Sequence, residues 1–241
     1  MEVKMSEITL ADVVAASYKW SEEGMKYLPV ATKTNTALLL IDIQQLATPQ
    51  YMADTAIAEG LDKDQVHAAV ADYKQRFDAS LAKAQGVLAA ARQNNVPALH
   101  VKIQSQTGDG RDRMMGHKLL GWMYTAESKG AQFLEECKPE PGEAVLTKTT
   151  SGAFASTGLD RTLRNMGIEV LYIVGYATDE CVETTFRNAV DLGYMAMIVS
   201  DAMTTYDAAY HQHVINKFTG WGLVVTSDQV IQSLSSLPEG S

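Results

Sequence analysis

Three side chains in this sequence have the types and settings needed for covalent catalysis. Cys181 follows the apolar run Glu169–Gly175 across a short turn and stands at the start of a helical pattern. A thiol in the first turn of a helix feels the positive end of the dipole, which lowers its pKa and favours thiolate. Asp42 ends another apolar run, Thr36–Asp42, where a carboxylate can take the thiol proton and later give it to a leaving amine. Lys148 closes a third run, Glu143–Lys148, and its ammonium would depress the thiol pKa further. Backbone N–H groups of the Gly175–Cys181 turn can receive a developing oxyanion. Each residue also has a plain structural alternative. A cysteine is commonly a small buried hydrophobe, a strand-ending Asp a cap or turn residue, and a lone Lys a solvated charge.

What decides between these readings is the scaffold. Short apolar runs alternate with longer helical patterns, the signature of βαβ units around a parallel sheet. The strands are read at 36–42, 97–103, 143–148, 169–175, 194–200 and 223–226. A long helix is expected over 62–94, another over 179–192 ending at Gly193, and a last one from Ser227. The pattern predicts an α/β, doubly wound six-stranded parallel sheet, Rossmann-like in its order 3-2-1-4-5-6, with helices on both faces. In that order the first and fourth strands are neighbours at the switch point, and ligands bind outside their carboxyl ends. Asp42 and Cys181 therefore converge on the site that topology alone selects. Residues 1–30 read as an N-terminal extension and residues 31–241 as one domain. The segment 104–138, with Gly108, Gly110 and Gly116 around two arginines, reads as a loop or lid followed by a helix.

Composition narrows the partners. A formal charge of −9 argues against nucleic acid, whose phosphates call for clustered Lys and Arg. No apolar run is long enough to span a bilayer, and the opening residues lack the pattern of a secretory signal. With only two cysteines, Cys137 and Cys181, the chain does not look like a secreted disulfide scaffold and is expected in the cytoplasm. Neither Gly108 nor Gly110 has the strand-turn-helix setting of a dinucleotide loop, so no cofactor is expected. His211 and His213, two residues apart, fall on different faces of a helix, and no metal site is expected. Gln44, Gln104 and Gln106 lie just beyond the first and second strands. Their amides would suit a neutral amide or ureide, pairing with both C=O and N–H. Arg111 and Arg113 offer a carboxylate partner, or are simply solvated loop charges. Met114, Met115, Trp122, Met123 and Tyr124 line a lid or subunit contact, or pack in the core; Phe218 and Trp221 are read as packing residues.

Taken together, the motifs match a known pattern. The segment Val174-Gly-Tyr-Ala-Thr-Asp-Glu-Cys-Val-Glu-Thr-Thr-Phe-Arg-Asn-Ala-Val-Asp-Leu-Gly193 resembles the nucleophile segment of the isochorismatase-like cysteine hydrolases. Leu40-Ile-Asp-Ile-Gln44 resembles their first-strand motif, and Lys148 with Ser151-Gly-Ala-Phe154 their lysine segment. The resemblance implies that Cys181 is the nucleophile, Asp42 the general acid/base and Lys148 the supporting cation. It also implies a cis peptide between Tyr176 and Ala177, and an oxyanion hole made by the amides of Ala177 and Cys181. Ser151, Phe154 and Tyr176 would border the substrate with Gln44, Gln104, Gln106 and Arg111. Isochorismatases proper lack the cysteine, so its presence implies C–N cleavage through a thioester, with release of ammonia or an amine. The His and Asp metal cluster of nicotinamidases has no counterpart in His100–Gln106. The expected partner is a small amide or ureide, and the expected assembly a homodimer or homotetramer. The alternatives are a non-catalytic binding protein on the same scaffold, a redox thiol protein, or a metal-independent nicotinamidase-like amidase.

Overall fold

The computed structural model describes residues 8–17, 19–218 and 223–240. The chain divides into two compact units, residues 1–30 and 31–241. The first contains α1 (Leu10–Ser17) and the short α2 (Glu22–Met25), the latter capped by the Ser21 side chain.

The second unit is a wound α/β sheet. Its elements in order are β1 (Thr36–Ile41), α3 (Pro49–Ala58), α4 (Lys63–Gln93), β2 (Ala98–Ile103), α5 (Met115–Leu119), β3 (Ala144–Lys148) and α6 (Leu159–Asn165). They continue with β4 (Val170–Tyr176), α7 (Glu183–Asp191), β5 (Met195–Thr204), α8 (Ala208–Phe218), β6 (Leu223–Val225) and α9 (Ser227–Ser236). The six strands are all parallel and ordered β3-β2-β1-β4-β5-β6, as the alternation of apolar runs and helical patterns requires.

Strands β1 and β4 lie at the centre and are buried along their whole length, which is why they read as unbroken apolar runs. Their side chains alternate between two cores. Leu38 and Leu40 join Val170, Tyr172 and Val174 beneath Phe77, Leu81, Val87 and Leu88 of α4. Ala37, Leu39 and Ile41 join Leu171 and Ile173 beneath Leu163, Phe186 and Phe218 from α6, α7 and α8. Trp221 lies outside the described residues, whereas Phe218 is fully buried with its ring centroid 4.4 Å from that of Phe186.

Two departures from the expected elements matter for the site. β5 runs to Thr204, four residues beyond its expected end, with a shift in its pairing to β4 between Ile173 and Gly175. The residues before α7 do not form its first turn. Thr178–Val182 instead make a π-helical turn, with the amide of Val182 bonded to the carbonyl of Ala177. Such turns widen the helix by one residue and recur at functional sites.

Candidate active site

The carboxyl ends of β1, β3 and β4 place Asp42, Lys148 and Cys181 side by side. Asp42 follows the last residue of β1 with φ 50°, a left-handed backbone that Asp tolerates better than most residues. Its amide is bonded to the carbonyl of Val101 on β2, which fixes the turn. Gly175, near the end of β4, has φ 125°, and a Cβ there would overlap the carbonyl of Ile41. Only glycine lets β4 approach β1 this closely at the point where both chains leave the sheet.

Lys148 is the hub. Its Nζ lies 2.8 Å from Asp42 Oδ2 and 3.3 Å from Cys181 Sγ, and donates to the carbonyl of Thr150 at 2.9 Å. All three side chains are buried, and Lys148 has no exposed surface. Ser151 Oγ is 3.9 Å from the sulfur. The Lys148 ammonium, the Cys181 thiol and the Ile103 amide all approach the Asp42 carboxylate and lower its pKa against burial. The peptide between Tyr176 and Ala177 is cis.

Burial governs the charges. Desolvation raises the Asp42 carboxyl above its ordinary range and outweighs the opposing pull of Lys148. The Lys148 ammonium is held above its ordinary range by Asp42 and Cys181, which overcome its own burial. The Cys181 thiol is pushed up to about 12 by burial, against the lowering effect of Lys148. This corrects the expectation of a resting thiolate. The helix-dipole argument applied to a solvated thiol in a regular first turn, whereas the sulfur sits in a π turn away from water. Burial thus favours the neutral thiol at Cys181 and, at Asp42, opposes the charge that Lys148 favours. Ionising the sulfur then means moving its proton to Asp42, whose raised basicity suits it to accept one.

A narrow crevice of about 20 Å³ opens beside Cys181, space for about one water. Its lining includes Asp42, Cys181 and Ala177 together with Tyr73, Trp122, Tyr176, Glu180 and Tyr206. Tyr73 comes from α4, where its hydroxyl donates to the carbonyl of Ala47. Trp122 comes from the irregular segment after β2, and Tyr206 follows the extended end of β5. Glu180 keeps an outer side open to solvent, yet partial burial with Asp179 and Asp42 nearby raises its carboxyl.

Several residues expected around the substrate lie elsewhere. Gln44 is fully buried and its amide is spent on the fold, donating to the carbonyls of Ile103 and Ala131 and accepting from the amide of Ile103. It clips β1 to β2. Gln106 is exposed, with its backbone amide held by Asp112. Arg111 is exposed and paired with Asp109, and Arg113 donates to the carbonyls of Gly110 and Trp122. Phe154 packs on Tyr194 at 6.0 Å against the core. Gln104 is partly buried, and its Oε1 has no hydrogen-bond partner among the described residues. Tyr176 does border the crevice, but its hydroxyl turns inward to Ser80 and its ring stacks on Phe77 at 4.4 Å. Sequence reasoning passed over Tyr73, Glu180 and Tyr206, and took Trp122 chiefly as packing. Only Glu180 carried a local signal, its position beside Cys181.

Three of the five histidines are separately engaged. His100 meets Glu143, His117 packs on Trp122 at 5.5 Å, and His211 meets Thr178. Among the described residues, no three His, Cys, Asp or Glu side chains converge as a metal site would need. None of the described helices is long and apolar enough to cross a membrane.

Comparison with known proteins agrees with this architecture. The isochorismatase domain matches residues 36–229, and the chain belongs to that family of hydrolases. It is 29% identical over 218 residues to the ureidoacrylate amidohydrolase RutB of Variovorax paradoxus (strain S110), an alignment covering 84% of this chain and 82% of that protein. With the ureidoacrylate amidohydrolase RutB of Enterobacter sp. (strain 638) it shares 30% identity over 207 residues, covering 78% and 84%. Among solved structures, a cysteine hydrolase from Pseudomonas syringae pv. phaseolicola 1448A superposes with a TM-score of 0.72 at 20% identity, covering 87% of this chain and 96% of that one. N-carbamoylsarcosine amidase from Thermoplasma acidophilum superposes with a TM-score of 0.60 at 20% identity, covering 80% and 97%. At these identities the superpositions speak for the fold.

Proposed function

We propose that the chain hydrolyses a C–N bond in a small amide or ureido compound through a thioester on Cys181. The chain is a hydrolase acting on carbon–nitrogen bonds other than peptide bonds, and its ureidoacrylate amidohydrolase relatives support an amide-type substrate. One observation carries the mechanism: Lys148 Nζ within 2.8 Å of Asp42 and 3.3 Å of the Cys181 sulfur, all three shielded from water.

In this reading the Cys181 proton passes to Asp42 as the sulfur attacks the substrate carbonyl. The amides of Ala177 and Cys181 receive the oxyanion, whose loss of one donor typically costs about a hundredfold or more in rate. Asp42 then returns its proton to the leaving nitrogen as the C–N bond breaks, leaving a thioester and ammonia or an amine. A water gives its proton to Asp42 and its oxygen to the acyl carbon, and the departing thiolate takes the proton back. Lys148 keeps Asp42 ionised between these transfers and stabilises the sulfur whenever it carries charge. Ser151 lies close enough to the sulfur to assist. Cys137 is buried with its thiol pushed up to about 12, which suits a packing role.

Residues 31–241 form the hydrolase domain in this proposal and residues 1–30 an extension to it. Both cysteines are free, which supports a reducing cytoplasmic setting. A homodimer or homotetramer is the proposed assembly, to be checked by light scattering.

The test is ammonia release across ureido acids, ureido amines, alkylureas and aromatic amides, together with intact-mass detection of an acyl adduct. The wild type should turn over at least one of these, and Cys181→Ala should turn over none. Ammonia release from that variant at the wild-type rate would end the thioester reading.

A further inference from the structure

We propose that the crevice beside Cys181 selects amides or ureides carrying a positive charge and turns away those carrying a carboxylate. This deepens the amidohydrolase reading and rests on it.

The argument begins with what borders the crevice. Tyr73, Trp122 and Tyr206 present aromatic rings, and Glu180 adds a carboxylate at the open side. The rings of Tyr73 and Tyr206 meet edge to face at 5.4 Å, forming a corner. Aromatic rings around a small space with a carboxylate nearby attract ammonium and guanidinium groups, because the negative ring faces and the carboxylate act together. The Tyr73 hydroxyl is already spent on Ala47.

The charge balance points the same way. Asp42, Asp179 and Glu180 cluster around the site, against Lys148 as the one cation placed inside it among the described residues. Lys148 is committed to Asp42. Glu180 makes no side-chain hydrogen bond or ion pair among the described residues, and Asp179 Oδ1 is buried without a hydrogen-bond partner. Glu180 in the lining and Asp179 beside it in the chain thus add negative charge that Lys148, already paired with Asp42, offsets only in part, an arrangement that repels an anionic substrate.

The arginines near the crevice are occupied. Arg76 lies 5.6 Å from the Tyr73 ring but is held by Asp72, Thr204 and the carbonyls of Thr205 and Tyr206. Arg113 is held by the carbonyls of Gly110 and Trp122, and Arg111 is exposed and paired with Asp109. Neither borders the crevice. A ureido acid would thus meet carboxylates and ring faces where it needs a cation. A ureido amine would place its ammonium against Glu180 and the rings, with its carbamoyl carbon toward the sulfur.

The experiment compares ureidobutylamine, butylurea and ureidobutyrate, which differ chiefly in charge, by ammonia release at neutral pH and low ionic strength. We expect kcat/KM for the cation to exceed that for the anion by about tenfold or more. Glu180→Gln should collapse most of that ratio, and Glu180→Lys should invert it. A second readout needs no turnover. Tetramethylammonium should slow alkylation of Cys181 by iodoacetamide, followed by intact mass, whereas acetate at equal ionic strength should not. If none of the ureides is hydrolysed but tetramethylammonium protects the thiol, the amidase reading fails and the charge selection stands. A wild type that prefers ureidobutyrate, an unchanged ratio in Glu180→Gln, or protection by acetate rather than tetramethylammonium would overturn the proposal.

Discussion

Replacing Lys148 with Met tests the central pair most directly. Met keeps most of the volume and removes the charge, so the packing around β3 is little disturbed. What remains is the Asp42 carboxylate, buried and stripped of the ammonium 2.8 Å away. Removing one partner of a buried pair typically destabilises by about 3–5 kcal/mol, because the other charge is left uncompensated. Asp42 would relieve part of that cost by taking a proton. Its pKa, already raised in the wild type, rises further in the variant. Between those two pKa values the folded variant holds a proton that its unfolded chain has released. Its stability deficit therefore grows as pH rises through that window, by about 1.4 kcal/mol per unit at the limit, and shrinks as pH falls. A protonated Asp42 is also no base, so turnover should fall by at least about a hundredfold. Urea denaturation of the wild type and of Lys148→Met at several pH values measures the first effect, and ammonia release the second. Asp42→Asn combined with Lys148→Met should recover a large part of the lost stability and none of the activity. A Lys148→Met protein within about 1 kcal/mol of wild type at neutral pH, with a pH-independent difference, would refute the reasoning.

Four further outcomes follow from the structure. Because burial holds the Cys181 thiol near 12, its alkylation by iodoacetamide in free enzyme should still be accelerating at the alkaline end of the stable range. A plateau at or below neutral pH would mean a resting thiolate. Arg111→Ala should leave KM and stability unchanged within error, since its side chain pairs with Asp109 in solvent. Gln44→Leu should cost about 2–3 kcal/mol in urea, since it breaks buried bonds to Ile103 and Ala131; the opposite pattern would return both residues to substrate binding. His117 is buried against Trp122 and held down to about 4, chiefly by desolvation and then by Lys148 and Arg113. Unfolding frees it to bind a proton below about 6.5, so stability should decline as pH falls from there toward 4, with a ceiling of about 3 kcal/mol. His117→Asn should flatten that slope, as followed by denaturation at each pH.

The frame was legible because burial writes it plainly. Thr36–Ile41 and Val170–Tyr176 are covered on both faces, so their sequences admit little besides a central parallel strand. The strand ends then bring Asp42 and Cys181 together at the switch point, whereas Lys148, on β3 two strands from β1, meets them through the reach of its side chain, which topology alone did not fix. What failed was side-chain direction. Gln44 stands two residues beyond Asp42 and looked like a substrate group, yet the chain turns there and its amide faces the β2 backbone. The crevice walls were hidden for another reason. Tyr73 is in the middle of α4, Trp122 in an irregular segment and Tyr206 beyond a strand that ran longer than its apolar pattern. Their meeting depends on packing between distant parts of the chain, which periodicity does not encode. The thiol's state was misjudged because the dipole argument carries no information on desolvation, and here desolvation is the larger effect.

The tightness of the crevice bears on what must move when it fills. With space for about one water beside the sulfur, any larger guest has to displace lining side chains such as Trp122, Tyr206 or Glu180 as it enters. Occupancy at Cys181 is therefore coupled to rearrangement of the irregular segment after β2 and of the residues that follow β5.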